Sequence, residues 1–180
     1  MIKREEYLKK IRPFMSKEIV KVLTGIRRCG KSVMLELIKE DLVSQGIKKE
    51  NLFSVNFETG AVSYVKSLEE TYEVVKEFAA KRKEKIYLFF DEIQELPHWE
   101  NLVNSIMIDF DADIYITGSN AKMLSGELAT YLGGRYVEFK IYPFSFAEVL
   151  QMLPDKPEAE VFQTYLTKGG MPFLYQFPFD

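Results

Sequence analysis

Apolar positions along the chain follow two rhythms. Short runs that are apolar or alternating, and rich in β-branched and aromatic residues, fall at 18–24, 52–57, 86–90, 112–117 and 136–141. Runs of that length bounded by turn residues read as strands. Between them the apolar residues recur at helical spacing: Met34, Leu35, Leu37, Ile38 and Leu42 within 31–44, and Trp99, Leu102, Val103 and Ile106 after Pro97. Gly46 supplies a stop for the first of these helices, and Pro97 marks the start of the second. Ser67-Leu68-Glu69-Glu70 has the spacing of a capping box and opens a third helix, running to about Lys83. A short amphipathic helix over 3–12 ends at Pro13. Strands that alternate with helices and are apolar nearly throughout make a parallel sheet covered on both faces.

The pattern changes from Pro143 onward. Eight aromatics fall in the last 38 residues, and the spacing there becomes helical. The chain closes on Phe177-Pro178-Phe179-Asp180 with no polar finish, and a truncated chain is the expectation. Three parts follow: an N-terminal helical segment over 1–17, an α/β core over 18–142, and the start of a helical lid over 143–180.

Composition narrows the class. Hydrophobic residues at 47% and charged residues at 28% are ordinary for a globular protein and exclude a disordered tail or a fibre. The longest purely apolar runs, such as 86–90, fall far short of the roughly twenty residues of a spanning helix, so no membrane is expected. The charged start Met1-Ile2-Lys3-Arg4-Glu5-Glu6 leads into no signal-peptide core, and one cysteine fits a reducing compartment. The expected location is cytoplasmic. Charge is uneven: residues 1–50 hold 13 Lys and Arg against 7 Asp and Glu, whereas the remainder holds 11 against 20. A basic first segment attracts phosphate, whether of one ligand or of nucleic acid, and the motif inside it favours one phosphorylated ligand.

Gly25-Ile26-Arg27-Arg28-Cys29-Gly30-Lys31-Ser32 satisfies G-x-x-x-x-G-K-S/T between an expected strand and an expected helix, the context this motif requires. Its glycines let successive backbone amides face phosphate oxygens, and the helix N-terminus adds its positive end. Lys31 then reaches the β- and γ-phosphates of ATP, Ser32 is a Mg2+ ligand, and Val33 completes the nucleotide-contacting stretch. Lys31 is expected to have no packing partner while the site is empty. The apolar strand at 86–90 ends in Asp91-Glu92. Asp91 is the second Mg2+ ligand, and Glu92 is the general base for water attacking the γ-phosphate. The bland alternative is a pair of surface acids closing a strand. Ile114-Tyr115-Ile116-Thr117-Gly118-Ser119-Asn120 brings a hydroxyl or amide to the same edge, where Ser119 or Asn120 orients the water or merely caps a turn.

These elements in this order resemble the AAA+ branch of P-loop ATPases. The strings GIRRCGKS, FFDEIQ, ITGSNAKMLSGELATYLGGRYVEFKIYPFSFAEVL and KGGMP resemble, more closely, a prokaryotic AAA-type ATPase family related to archaeal ATPases and the STAND group. Its members usually carry a C-terminal domain of unknown function. The resemblance covers about residues 2–175. It implies an α/β three-layer P-loop NTPase whose five-stranded, mainly parallel sheet has the order 5-1-4-3-2, plus a partial helical lid. It places Ser119 at the sensor-1 position and makes Arg135 an arginine-finger candidate, commonly acting on a neighbouring subunit in a homo-oligomer. An ordinary helix-end arginine is the alternative. Pro172, in Gly169-Gly170-Met171-Pro172, resembles the GxP proline that packs near adenine, or it is a plain turn. Arg4 and Tyr7 edge the adenine pocket by analogy or belong to a surface helix face. Two departures stand out: no arginine serves as a second sensor, with Lys168 a poor substitute, and the C-terminal domain is absent.

Cys29, between basic residues at a helix N-terminus, would favour its thiolate if exposed, but it reads as a loop residue without a redox role. Gln94 could meet an effector. The expected activity is Mg2+-dependent ATP binding and hydrolysis serving as motor or switch for a C-terminal effector domain. The alternative is a STAND-like switch that holds ATP or ADP with little turnover. A small-molecule kinase fits less well, because the Asp-Glu pair is present and an arginine-rich lid is not.

Overall fold

The computed structural model describes residues 2–58, 67–119 and 132–175. Its strands are β1 (Val20–Gly25), β2 (Leu52–Asn56), β3 (Ile86–Asp91), β4 (Ala112–Ser119) and β5 (Tyr136–Lys140). They form one sheet in the order β2-β3-β4-β1-β5, with each neighbouring pair parallel. Read from the other side this is 5-1-4-3-2, the order the resemblance implies, and it is parallel throughout where the sequence reading expects mainly parallel. Parallel neighbours need a crossover between them. The helices supply it: α2 (Lys31–Ser44) after β1, α3 (Leu68–Ala80) after β2, and α4 (Trp99–Asp109) after β3.

Strand alternation sorts the core into two layers. On one face Val20, Val22, Leu88, Phe90, Ile114 and Ile116 pack with Val75 of α3 and Leu102, Val103 and Ile106 of α4. On the other, Leu23, Phe89, Tyr115 and Phe139 pack with Met34, Leu35, Ile38 and Leu42 of α2 and with Leu8 and Ile11 of α1 (Glu5–Ile11). With both faces covered, β1 and β3 are buried along their whole length, which is why those runs are nearly continuous in apolar residues.

Element ends shift in a few places. Ser67 does cap α3, its Oγ accepting from the Glu70 amide at 3.2 Å, but the helix stops at Ala80. There Arg82 turns back and donates to the carbonyls of Phe78 and Glu50, both at 2.5 Å. Pro97 lies two residues before α4, because His98 at φ 57° takes the N-cap position. After β5 the chain forms α5 (Phe146–Met152), α6 (Glu158–Lys168) and a 3₁₀ turn over Pro172–Tyr175. Phe146 meets Phe162 edge-on, with ring centroids 5.3 Å apart, and Phe144 N donates to Gly170 O at 2.7 Å, closing this segment on itself. No helix among the described residues is long and apolar enough to cross a membrane.

Candidate functional site

Parallel strands deliver their carboxyl ends to one edge, so Gly25 of β1, Asp91 of β3 and Ser119 of β4 meet there. Gly25 pairs with Ser119 in register and Asn56 with Asp91. The loop 26–30 leaves this edge and turns into α2. Gly30, the N-cap, sits at φ 102°, where a side chain would be strained. At Gly25 a Cβ would run into the Ile141 carbonyl and the Cys29 Sγ. Both glycines of the motif are therefore required by the backbone itself.

The loop and the acidic strand end touch. Lys31 Nζ lies 3.3 Å from Glu92 Oε1 and 3.5 Å from the carbonyls of Gly25 and Ile26. Contrary to the sequence expectation, the Lys31 side chain is buried and partnered, only 3% exposed. Glu92 adopts φ 50°, ψ 47°, uncommon for a residue with a side chain. Its amide donates to Thr117 Oγ1 at 2.9 Å, and that hydroxyl donates to Asp91 Oδ1 at 2.5 Å. Asn56 Nδ2 holds the other oxygen, Asp91 Oδ2, at 3.0 Å. Gln94 Nε2 donates to Glu92 Oε2 at 2.6 Å, while its buried Oε1 finds no partner among the described residues. Ser32 and Asp91 line one cleft of about 470 Å³ between α2 and the ends of β2 and β3.

The remaining expected residues fall differently. Arg27 is exposed and pairs with Glu58 at 2.6 Å. Arg28, at φ 65°, lies over the ring of Phe173 at 5.5 Å, which places the turn containing Pro172 beside the loop. Ile26 at the loop's start and Val33 in the first turn of α2 are exposed hydrophobics. Cys29 is fully buried, and burial raises its thiol above the ordinary value. The activated thiolate imagined for an exposed position does not arise. Arg135 is not brought to this edge. It precedes β5 at the opposite, amino edge, roughly 15–20 Å away by strand length. There it donates to Asn104 Oδ1 at 3.2 Å and borders a cavity of about 380 Å³ with Glu18, Asp109 and Asp111. Asn120 lies outside the described residues.

Two residues at this edge escaped the sequence reading. Thr117 and Asn56 grip the Asp91 carboxylate, and only the register of β2, β3 and β4 makes them its neighbours. Arg4, expected either to edge the adenine pocket or to lie on a surface helix face, is 3% exposed, and its guanidinium reaches the loop.

An α/β three-layer sheet of this order, with a glycine-bounded loop running into α2 beside an acidic strand end, defines a P-loop NTPase-like fold. The chain belongs to the AAA domain family, whose model matches residues 17–150. It is 42% identical over 176 residues to an uncharacterized protein of Haemophilus influenzae, covering 96% of this chain and 44% of that one. It is 36% identical over 133 residues to an uncharacterized protein of Methanocaldococcus jannaschii, covering 73% of this chain and 28% of the other. The chain thus spans less than half the length of either relative. Among solved structures it is similar to the Aeropyrum pernix ORC1 protein in complex with DNA, at TM-score 0.59 and 17% identity, covering 87% of this chain and 49% of that one. It is also similar to an S. cerevisiae Hsp104–ADP complex, at TM-score 0.68 and 18% identity, covering 98% and 29%.

Proposed function

We propose that this chain is a Mg2+-dependent ATP-binding and ATP-hydrolysing module that works as motor or switch for a further domain. The observation that carries the reading is the Lys31–Glu92 contact at 3.3 Å, which joins the motif lysine to the acidic strand end at one sheet edge. Backbone amides of 27–32 and the start of α2 would bind the phosphates, with Lys31 neutralising their charge. The donor set suits magnesium, which favours one or two carboxylates, a hydroxyl, water and phosphate oxygens. Ser32 and Asp91 face one cleft, and Asp91 Oδ1 accepts from Thr117 and Oδ2 from Asn56, each oxygen keeping a further lone pair. A bound ion there would neutralise phosphate charge. Glu92 would accept the proton of the attacking water, Ser119 or Asn120 would orient that water, and Pro172 would border the base.

Arg135 faces away from its own loop, so a role at the phosphates requires a second copy of the chain. A homo-oligomer is proposed on that ground. The ADP of the Hsp104 structure supports a nucleotide here, and the DNA of the ORC1 structure keeps nucleic acid among the partners to test. The part of the relatives beyond this chain's match is the proposed effector.

The second reading, a switch that holds nucleotide with little turnover, is favoured by a different observation: Arg28 lies over Phe173, with the turn containing Pro172 beside the loop. Calorimetric titration of ATP and ADP with and without Mg2+ tests binding, and single-turnover hydrolysis separates the two readings. Absence of binding by either nucleotide overturns both.

A further inference from the structure

We infer that Arg4 is a positioning residue that couples the phosphate loop to the helical segment after β5, so that the state of one is felt by the other. Its guanidinium joins the N-terminal segment to two stretches far away in sequence, the loop at Cys29 and 142–148 after β5. Nη1 donates to the Cys29 carbonyl at 3.3 Å, Nη2 donates to the Tyr142 carbonyl at 2.8 Å, and Nε donates to Glu148 Oε1 of α5 at 2.7 Å. Nη2 also reaches Glu148 Oε2 at 3.3 Å. The rings of Tyr7 and Phe144 lie against the guanidinium at 4.6 and 5.2 Å. A planar fork with five donors on three nitrogens reaches three separated partners in fixed directions; an ammonium, with its donors on one nitrogen, does not span them.

The contact points explain what such a link would transmit. The Cys29 carbonyl belongs to the peptide before Gly30, at the residue where the loop turns into α2. Holding that carbonyl outward keeps the attached Gly30 amide turned the opposite way. Glu148 is the N3 residue of the capping box that starts α5: its Oε2 accepts from the Ser145 amide at 2.8 Å, and Ser145 Oγ accepts from the Glu148 amide at 3.3 Å. A shift of the Cys29–Gly30 peptide therefore pulls on the arginine, and the arginine pulls on the cap of α5. The backbone of Arg4 itself is held at φ 46°, ψ 47°, an uncommon conformation for arginine. Nearly complete burial leaves the guanidinium no water to replace a lost partner. That the loop's occupant is a nucleotide rests on the reading above; the coupling itself does not.

The test uses the intact protein, with Arg4→Ala, Arg4→Lys, Glu148→Gln and the pair Arg4→Ala/Glu148→Gln. Amide exchange without nucleotide reads the coupling: Glu148→Gln, made on α5, should speed exchange across 27–31. ADP titration reads its consequence. Arg4→Ala should bind at least about tenfold more weakly, the scale of lost charged hydrogen bonds. Arg4→Lys should not rescue binding, and the double variant should be no weaker than Arg4→Ala alone. A purely structural role would lower the melting point of these variants yet leave ADP affinity at the wild-type value, and that result overturns the inference. So does loop exchange in Glu148→Gln identical to wild type. If wild type binds no ADP, the nucleotide reading fails, and the exchange result alone decides for or against the coupling.

Discussion

The strands β1, β3 and β4 carry a buried polar cluster at each end, and the two are built on opposite principles. At the amino end Lys21 and Asp113, both fully buried, form an ion pair. Asp113 Oδ2 also accepts from the Tyr115 hydroxyl at 2.8 Å and the Ser16 amide at 2.7 Å, while Lys21 Nζ donates to the Lys17 carbonyl at 2.9 Å. Ser16 Oγ and the Tyr87 hydroxyl lie 3.0 Å apart, extending the network to β3. Burial pulls Lys21 below its ordinary value against the pull of Asp113, and burial likewise raises the Tyr115 phenol. At the carboxyl end Lys31 has only long contacts, at 3.3 and 3.5 Å, and a line of hydrogen bonds ends on the unpartnered oxygen of Gln94. The first cluster closes on its own side chains and the backbone of Ser16 and Lys17. The second is tightly bonded around Asp91 but holds Lys31 loosely and borders a cleft, the arrangement expected where an outside ligand is to complete the bonding.

That contrast is broken most directly at its closed end. Asp113→Ala leaves Lys21 buried without its counter-ion, and removing one partner of a buried pair typically costs about 3–5 kcal/mol. Urea unfolding should show a loss of that order, while the fraction that remains folded keeps its nucleotide affinity. A loss in affinity greater than the loss in stability would mean that the two ends are not separate. Lys31→Ala is the opposite experiment. It should weaken ATP binding at least about a hundredfold through the lost charge-assisted contacts. Its effect on stability should be slight, because the contacts removed are long. Equal nucleotide affinity in wild type and variant would remove the phosphate role of the loop.

The same contrast explains what the sequence disclosed. The loop and the acidic strand end are local strings, so Gly25, Gly30, Lys31, Asp91 and Glu92 were legible as a group, and strand–helix alternation was enough to expect the parallel sheet. α2 runs from Lys31 to Ser44 as its spacing and the following glycine indicate. Contacts set by register were not legible. Thr117 stands within a string read for its last two polar residues, yet alternation turns Thr117 itself toward Asp91. Lys21 and Asp113 are separated by 92 positions and sit in runs that otherwise read as apolar. Arg4 was legible only through the resemblance: a charged residue four positions into a chain otherwise reads as solvated until two distant segments, at Cys29 and at 142–148, close over it.

A smaller effect is expected at Glu92 than at Lys31 for binding, and a large one for turnover. Glu92→Gln keeps a partner for Gln94 and retains the shape of the site, but it removes the proposed proton acceptor. ATP affinity should stay within about threefold, and single-turnover hydrolysis should slow by at least about a hundredfold, the usual scale for a general base. An unchanged rate would make Glu92 a strand terminator that happens to touch Lys31. An unchanged rate of zero in wild type as well would favour the nucleotide-holding switch.

The smallest effect concerns Cys29, which marks how far the looseness of the carboxyl end extends. The thiol has no exposed surface, and a Cβ placed on Gly25 would lie 2.7 Å from its sulfur, so the base of the loop is tightly packed. Burial raises the thiol above its ordinary value, which keeps it protonated. The sign follows from that direction. The protonated thiol's contribution is present below the unfolded value and is lost as pH rises through the higher folded value. Iodoacetamide should therefore modify Cys29 far more slowly in the folded protein than in urea at the same mildly alkaline pH, with ADP slowing it little further. Cys29→Ala should cost about 1 kcal/mol, the low end for removing a buried group, and leave ADP affinity nearly unchanged. Rapid labelling of the folded protein would show that the loop opens down to its base. The division between a closed amino end and an open carboxyl end would then have to include the packing under the loop as well as its cleft-facing side.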